Sequence, residues 1–178
     1  MTAALDPAAL AQAKRNAVVR LHGDVVKVTA FQLDELRALA AGSPLQRARY
    51  CLHASDDAAI HEMIIALTQH CYIRPHRHLN KPESFSILDG ALDVLLFDDA
   101  GRETERIEMG LVAAGKVAFY RLGTSRWHAV IPRSDTVVYC ETTPGPFDPT
   151  GTAYPAWAPA EDDAADVAAF LERFPALT

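Results

Sequence analysis

The stretch Ile73-Arg-Pro-His-Arg-His-Leu-Asn-Lys-Pro-Glu83 holds two histidines two residues apart and a glutamate five residues after the second. The proline that follows Arg74 favours an extended backbone, in which residues i and i+2 point to the same side. His76 and His78 can therefore bind one ion together, and Glu83, at the start of an apolar alternation, can add a carboxylate. A third imidazole, His128, opens another apolar run later in the chain.

Three imidazoles and one carboxylate indicate a site for one divalent first-row metal. The sequence does not decide whether this metal is Mn, Fe, Co, Ni or Zn. Four protein ligands in a six-coordinate shell leave two positions for water or substrate. The alternative is that these histidines are unrelated strand residues. The three cysteines, Cys51, Cys71 and Cys140, are too scattered for a thiolate site or a disulfide framework, and we interpret them as small buried hydrophobes.

Short apolar runs separated by turn sequences surround this stretch, from about residue 50 to residue 141, and predict an antiparallel sandwich or barrel. Upstream, the sequence predicts a helix over residues 7–20, a strand over residues 24–29 and a second helix that ends near Gly42. Downstream, five prolines in residues 142–159 predict an extended surface segment, and an apolar stripe predicts a closing helix over residues 161–174. The expected parts of this one compact domain are an N-terminal extension (1–45), a β-barrel (46–141) and a Pro-rich segment with a helix (142–178).

Composition excludes several functions. The chain has 178 residues, about the size of one domain, and 49% of them are apolar, enough for a packed core. The formal net charge of −6 disfavours a nucleic-acid partner. There is neither a run of about 18 apolar residues nor a basic-then-apolar N-terminus, so we expect a cytoplasmic protein without a membrane partner.

The pattern His76-x-His78-x4-Glu83-x6-Gly90, with His128 further on, resembles the two signature motifs of the cupin superfamily. This resemblance implies a mainly β fold, the cupin-type double-stranded β-helix or jelly-roll barrel, and a metal bound by those four residues. The second motif departs from the family pattern: Arg121 stands where proline is usual, and the gap between glycine and histidine is two residues longer. These departures bear on the geometry of the turn before His128 more than on the identity of His128 as a ligand.

A closer resemblance, over most of the chain, is to the WbuC family of cupin-fold metalloproteins. Genes of this family often lie near bacterial surface-polysaccharide genes, which implies a role in polysaccharide metabolism. The segments that carry the resemblance are residues 47–53, 72–78, 97–101 with Gly90, 127–128, 145–147 with Glu141, and 157–159.

Residues near the predicted ligands are candidates for the substrate site. Arg74 and Tyr72 share the parity of His76, so on a regular strand they reach the same cavity, where the guanidinium can hold a carboxylate or phosphate. Equally, Arg74 can pair with Glu141 or close an end of the barrel. Lys81 either contacts substrate or faces solvent.

Two further residues are given functional interpretations. Glu141 is either a catalytic acid or base, or an acceptor that orients a ligand imidazole, and we favour the second role. His53, in a segment that resembles the family, is the leading candidate for a functional histidine that is not a ligand.

Three functions stay open for this small-molecule site. The first is metal-assisted isomerisation or epimerisation of a sugar, and the second is an iron-dependent dioxygenase. The third is a non-catalytic sugar- or metal-binding module. Unpaired strand edges of a sheet can be covered by a second copy of the chain, so we also expect a homodimer.

Overall fold

The computed structural model describes residues 17–176, which form eleven β-strands and two α-helices. The helices are α1 (Ala30–Ala41) and α2 (Ala164–Glu172), and one 3₁₀ turn covers Val112–Ala114. The strands are β1 (Val18–Arg20), β2 (Arg47–Cys51), β3 (Ile60–Thr68), β4 (Arg77–His78), β5 (Glu83–Asp89), β6 (Leu92–Phe97), β7 (Glu103–Met109), β8 (Phe119–Leu122), β9 (Trp127–Pro132), β10 (Thr136–Pro144) and β11 (Thr152–Ala153). The predicted mainly β fold is confirmed.

Two main sheets enclose the core. The larger has the strand order β1-β2-β3-β10-β5-β8, and the smaller has the order β7-β6-β9. Strands β4 and β11 form a separate two-stranded ladder. Every pairing is antiparallel except that of β1 with β2. Pairs such as β3 with β10 join distant parts of the chain, as double-sheet β folds require.

Alternation along the strands places one apolar face of each sheet in a shared core. On β5, Phe85 and Ile87 are buried, while the alternating Ser84 and Ser86 are partly exposed. Each such buried side chain contributes about 1.5–3 kcal/mol by leaving water. The largest core cluster includes Met63, Ile65 and Leu67 of β3 and Leu92, Val94 and Leu96 of β6.

The two helices cover the outer faces of the sheets. Helix α1 begins at a capping box between Thr29 and Gln32, and its buried Leu36 packs against the outer side of β2 and β3. Helix α2 covers the smaller sheet, where Phe170 packs beside Leu95 of β6. Within residues 17–176, neither helix is long and apolar enough to cross a bilayer.

Two predictions at the N-terminal end are wrong. Residues 24–29 form no strand, because this β-branched segment finds no neighbouring strand, and Val25 is 74% exposed. Residues 18–20, predicted as the end of a helix, form β1, which pairs with β2. Residues 7–16 of that predicted helix lie outside the described residues.

The other predicted helices are confirmed. Helix α1 ends at Gly42, as its leucine spacing predicts, and α2 lies within residues 161–174. The Pro-rich residues 142–159 lack regular structure apart from the end of β10 and the two residues of β11. The division of the chain into three parts stays a prediction.

Candidate metal centre

The four predicted metal ligands lie together. One ligand atom from each of His76, His78, Glu83 and His128 lies within 4.8 Å of the others. Glu83 is the first residue of β5 in the larger sheet, and His128 belongs to β9 in the smaller sheet. The centre therefore lies between the two sheets.

Backbone hydrogen bonds fix two of the ligands against each other. The His76 N–H donates to the His128 carbonyl, and the His128 N–H donates to the His76 carbonyl, both at 2.9 Å. Glu83 is fixed separately by its pairing with Leu122 of β8. Since rigid elements hold these residues, their relative positions are preorganised for binding.

Hydrogen bonds at Nδ1 orient the imidazoles. His76 Nδ1 lies 2.9 Å from the Arg74 carbonyl oxygen, and His128 Nδ1 lies 2.9 Å from the Arg126 carbonyl oxygen. A carbonyl oxygen only accepts, so each Nδ1 carries the proton and each Nε2 keeps its lone pair. His78 Nδ1 lies 3.2 Å from the Thr152 hydroxyl oxygen. All three rings can thus offer Nε2 as a ligand.

The spacing of the ligand atoms fits a metal ion. Oxygens of the Glu83 carboxylate lie 3.3 Å from His78 Nε2 and 3.1 Å from His128 Nε2. Neighbouring ligands that are each about 2.1 Å from a metal lie roughly 3.0 Å apart in an octahedron and roughly 3.4 Å apart in a tetrahedron. Glu83 Oε1 and His128 Nε2 are buried and have no hydrogen-bond partner within residues 17–176. A cation between these two acceptors would satisfy both.

Burial and mutual charge set the protonation of the centre. Burial, with the neighbouring His128, lowers the pKa of His76 to about 3, so this ring is neutral. Burial opposes ionisation of Glu83, but His128 and His78 hold its pKa well below the usual range. Burial likewise opposes charge on His128, and the Glu83 carboxylate nevertheless raises the pKa of His128. A proton and a divalent cation therefore compete for the Glu83–His128 pair.

A cavity of about 340 Å³ adjoins the centre and is lined by His76, His78 and Glu83. Thr152 and Tyr154, from the segment around β11, line it as well. The remaining charged residues of its lining are Arg47, Arg49, Arg74, Glu141 and Glu161.

Arg74 lines the cavity but also holds the C-terminal segment. Its guanidinium donates to the Ala158 carbonyl at 3.1 Å and lies 5.0 Å from the centre of the Tyr154 ring. The ion pair considered between Arg74 and Glu141 does not occur among the described residues. Substrate binding by Arg74 stays a prediction.

The structure does not bring Tyr72 and His53 to the cavity. The Tyr72 hydroxyl donates to the Pro159 carbonyl at 3.0 Å, and its ring packs on Phe170. Parity with His76 fails because residues 71–75 do not form a regular strand. His53 stacks on His61 with the ring centroids 4.1 Å apart, and neither residue is in the cavity lining. Neither Tyr72 nor His53 lines this cavity, and their roles in substrate binding stay predictions.

Lys81 lies beside the cavity lining and does not contribute to it. Its side chain is partly buried, and its charge acts on Glu141, where it opposes the rise in pKa. Contact of Lys81 with substrate stays a prediction, and its charge acts on Glu141 in either case.

Glu141 faces the cavity from β10, where it pairs with Met63 of β3 and Phe85 of β5. Burial, together with the charge of Glu83, raises the pKa of Glu141 to about 7. The Nδ1 atoms of the three predicted ligand histidines lie against the Arg74 carbonyl, the Thr152 hydroxyl and the Arg126 carbonyl, so Glu141 orients none of them through Nδ1. Its role stays a prediction. The alternative role as an acid or base remains.

Sequence reasoning missed two features of the site. Thr152 orients His78 through a pairing between β4 and β11 that joins residues 74 positions apart, and nothing local in the Pro-rich segment indicates it. Arg49 lines the cavity from β2, and its alternation with the buried Ala48 and Tyr50 is the signal that could have indicated its side of the sheet.

Comparison of the sequence with protein families finds one match. A family described as a domain of unknown function (DUF6016) matches residues 28–109. This range includes His76, His78 and Glu83 but ends before His128. No curated protein matches the sequence.

Solved structures show likeness in fold. A protein from Shewanella oneidensis is 14% identical, with a TM-score of 0.50 over 60% of this chain and 72% of its own. A cupin 2 conserved barrel domain protein from Rhodopseudomonas palustris is 16% identical, with a TM-score of 0.47 over 71% of this chain and 73% of its own. Bacillus subtilis oxalate decarboxylase, described with Mn(II) centers, is 13% identical, with a TM-score of 0.43 over 54% of this chain. The match spans only 24% of that enzyme.

Proposed function

We propose that this protein is a metal-binding cupin of the jelly-roll type that acts on a small molecule. One divalent transition metal, Mn, Fe, Co, Ni or Zn, would be held by His76, His78, Glu83 and His128. The observation that carries the proposal is the meeting of these four ligand atoms within 4.8 Å of one another, with His76, His78 and Glu83 lining an adjoining cavity. When bound, the metal would polarise a substrate oxygen.

Residues of the chain itself would supply the remaining chemistry. Glu141 lines the same cavity and can give or take a proton at its carboxylate, next to a carbon activated by an adjacent carbonyl. Arg74 can orient an anionic group. The cavity, about 340 Å³, matches the lower range of small-molecule sites. The reaction we propose is isomerisation or epimerisation of a sugar, which the association of the WbuC family with polysaccharide genes favours.

Elemental analysis and isotope exchange test this proposal. Protein purified without a chelating column should contain one metal per chain. In D2O, the loaded protein should introduce deuterium next to the carbonyl of a substrate found among sugars and keto acids. Oxygen uptake with iron would indicate the dioxygenase, and ligand binding without any turnover would indicate a binding module.

The variant Glu141→Gln separates metal binding from proton transfer. It should keep the metal and lose most of the exchange, because an amide cannot carry the proton. Glu62→Gln, at an exposed position on β3, is the matched control and should exchange at the normal rate. Normal exchange by Glu141→Gln, or exchange that survives removal of the metal, would contradict the proposal.

A further inference from the structure

We infer that the cavity selects a small anion, a carboxylate or a phosphate, and that Arg49 is the residue that determines this selectivity. This inference deepens the proposed function and rests on it, since the anion would lie beside the metal centre. It adds a specificity-determining residue that the sequence alone did not indicate.

Strand β2 directs Arg49 to the inner face of the larger sheet. Its neighbours Ala48 and Tyr50 belong to the cluster under α1 on the outer face, whereas Cys51, two residues further on, belongs to the core between the sheets. Arg49 shares the parity of Cys51 and therefore projects inward. Across the sheet it pairs with Ile65 of β3, which pairs in turn with Tyr139 of β10.

Near β2, the inner face of the larger sheet is not covered by the smaller sheet. The larger sheet has six strands and the smaller has three, and β2 lies next to the edge strand β1. Arg49 is exposed and lines the cavity. Its charge reaches Glu141, where it opposes the rise in pKa. The guanidinium is therefore both accessible to solvent and close enough to the proposed proton carrier, Glu141, for its charge to act there.

Charge makes this cavity unlike the rest of the protein. Three arginines and three glutamates line it, so a divalent cation in the centre would give a net charge of +2. The whole chain has a formal net charge of −6. A positive cavity in a negative protein favours an anionic ligand and repels cationic ones.

Of the three cavity arginines, Arg49 is the one without a side-chain partner among the residues that the structure describes. Arg47 forms an ion pair with Glu161 at 2.9 Å, and Arg74 donates to the Ala158 carbonyl. Among residues 17–176, the Arg49 guanidinium has no hydrogen bond and no ion pair. Its planar fork of donors matches the two oxygens of a carboxylate or phosphate.

Calorimetric titration tests the inference with three probes: malonate, inorganic phosphate and the neutral analogue malonamide. Wild-type protein with its metal content measured should bind malonate or phosphate and bind malonamide much more weakly. Arg49→Gln should keep the metal and lose about tenfold or more in anion affinity. Malonate bound more tightly than phosphate identifies a carboxylate ligand, and the reverse order identifies a phosphate ligand.

Arg121→Gln is the matched control. Arg121 also lies exposed on a strand of the larger sheet, at the opposite edge on β8, and does not line this cavity. This variant should bind the anions with wild-type affinity. Equal affinities in Arg49→Gln and wild type, or equal binding of malonate and malonamide, would overturn the inference. Absence of metal from the wild-type protein would instead refute the proposed function, and the same titrations on that protein would still test Arg49.

Discussion

Metal loading should raise the melting temperature of this protein, because its ligands meet only in the folded chain. Glu83 follows His76 by 7 residues and His128 follows Glu83 by 45, so an unfolded chain holds no such site. At free metal of 100 times Kd, stabilisation is about 2.7 kcal/mol. A domain of this length shifts by about 2–4 °C for each kcal/mol, so we expect a rise of roughly 5–11 °C.

Thermal melts of chelator-treated protein, with and without Mn²⁺ or Zn²⁺, measure this rise. His78→Ala and His128→Ala each remove one ligand and should abolish most of the shift. His78 is only partly buried, so its variant keeps the test valid should His128→Ala fail to fold. His70→Ala, at an exposed position, is the control and should keep the full shift. Full shifts in both ligand variants would refute the assignment of the site.

Three further predictions concern the surroundings of the centre. Thr152→Val removes the hydroxyl that orients His78 and should weaken metal affinity about 10–100-fold in a chelator competition, whereas unchanged affinity would exclude this role. Gly90→Ala puts a Cβ against the Thr136 carbonyl at a φ of +76° and should lower the free energy of unfolding by about 2 kcal/mol or more; a normal denaturation midpoint would contradict this. Metal affinity should fall as the pH drops from about 8 to about 5, because His128, whose pKa the Glu83 carboxylate raises, binds metal only as the neutral imidazole. Calorimetry in two buffers should detect the proton released on binding, and affinity independent of pH would contradict the ligand set.

The ligand group could be predicted because its geometry is largely local. His76 and His78 share a side of an extended chain, and the family pattern places Glu83 and His128 beside them. The apolar alternation likewise predicted the β-rich fold. These inferences need only the two-residue period of an extended chain and the chemistry of the ligands.

The incorrect predictions depended on long-range structure. Tyr72 does not line the cavity. Residues an even number apart share a face only on a regular strand, and residues 71–75 do not form one. Residues 24–29 have β-branched composition but no partner strand, so propensity alone predicted a strand there. Thr152 enters the site through the pairing of β4 with β11, which no local pattern indicates. For Arg49, local alternation indicates the face of β2, but only the pairing of β2 with β3 places that face at the cavity. The homodimer and the cytoplasmic location stay predictions.

Anomalous diffraction from crystals of the loaded protein, recorded at the absorption edge of the bound metal, tests the central claim most directly. We expect a single peak within about 2.0–2.3 Å of Nε2 of His76, His78 and His128 and of a Glu83 oxygen. A peak elsewhere, for example beside the stacked His53 and His61, or no peak at these four residues in metal-containing crystals, would contradict the account.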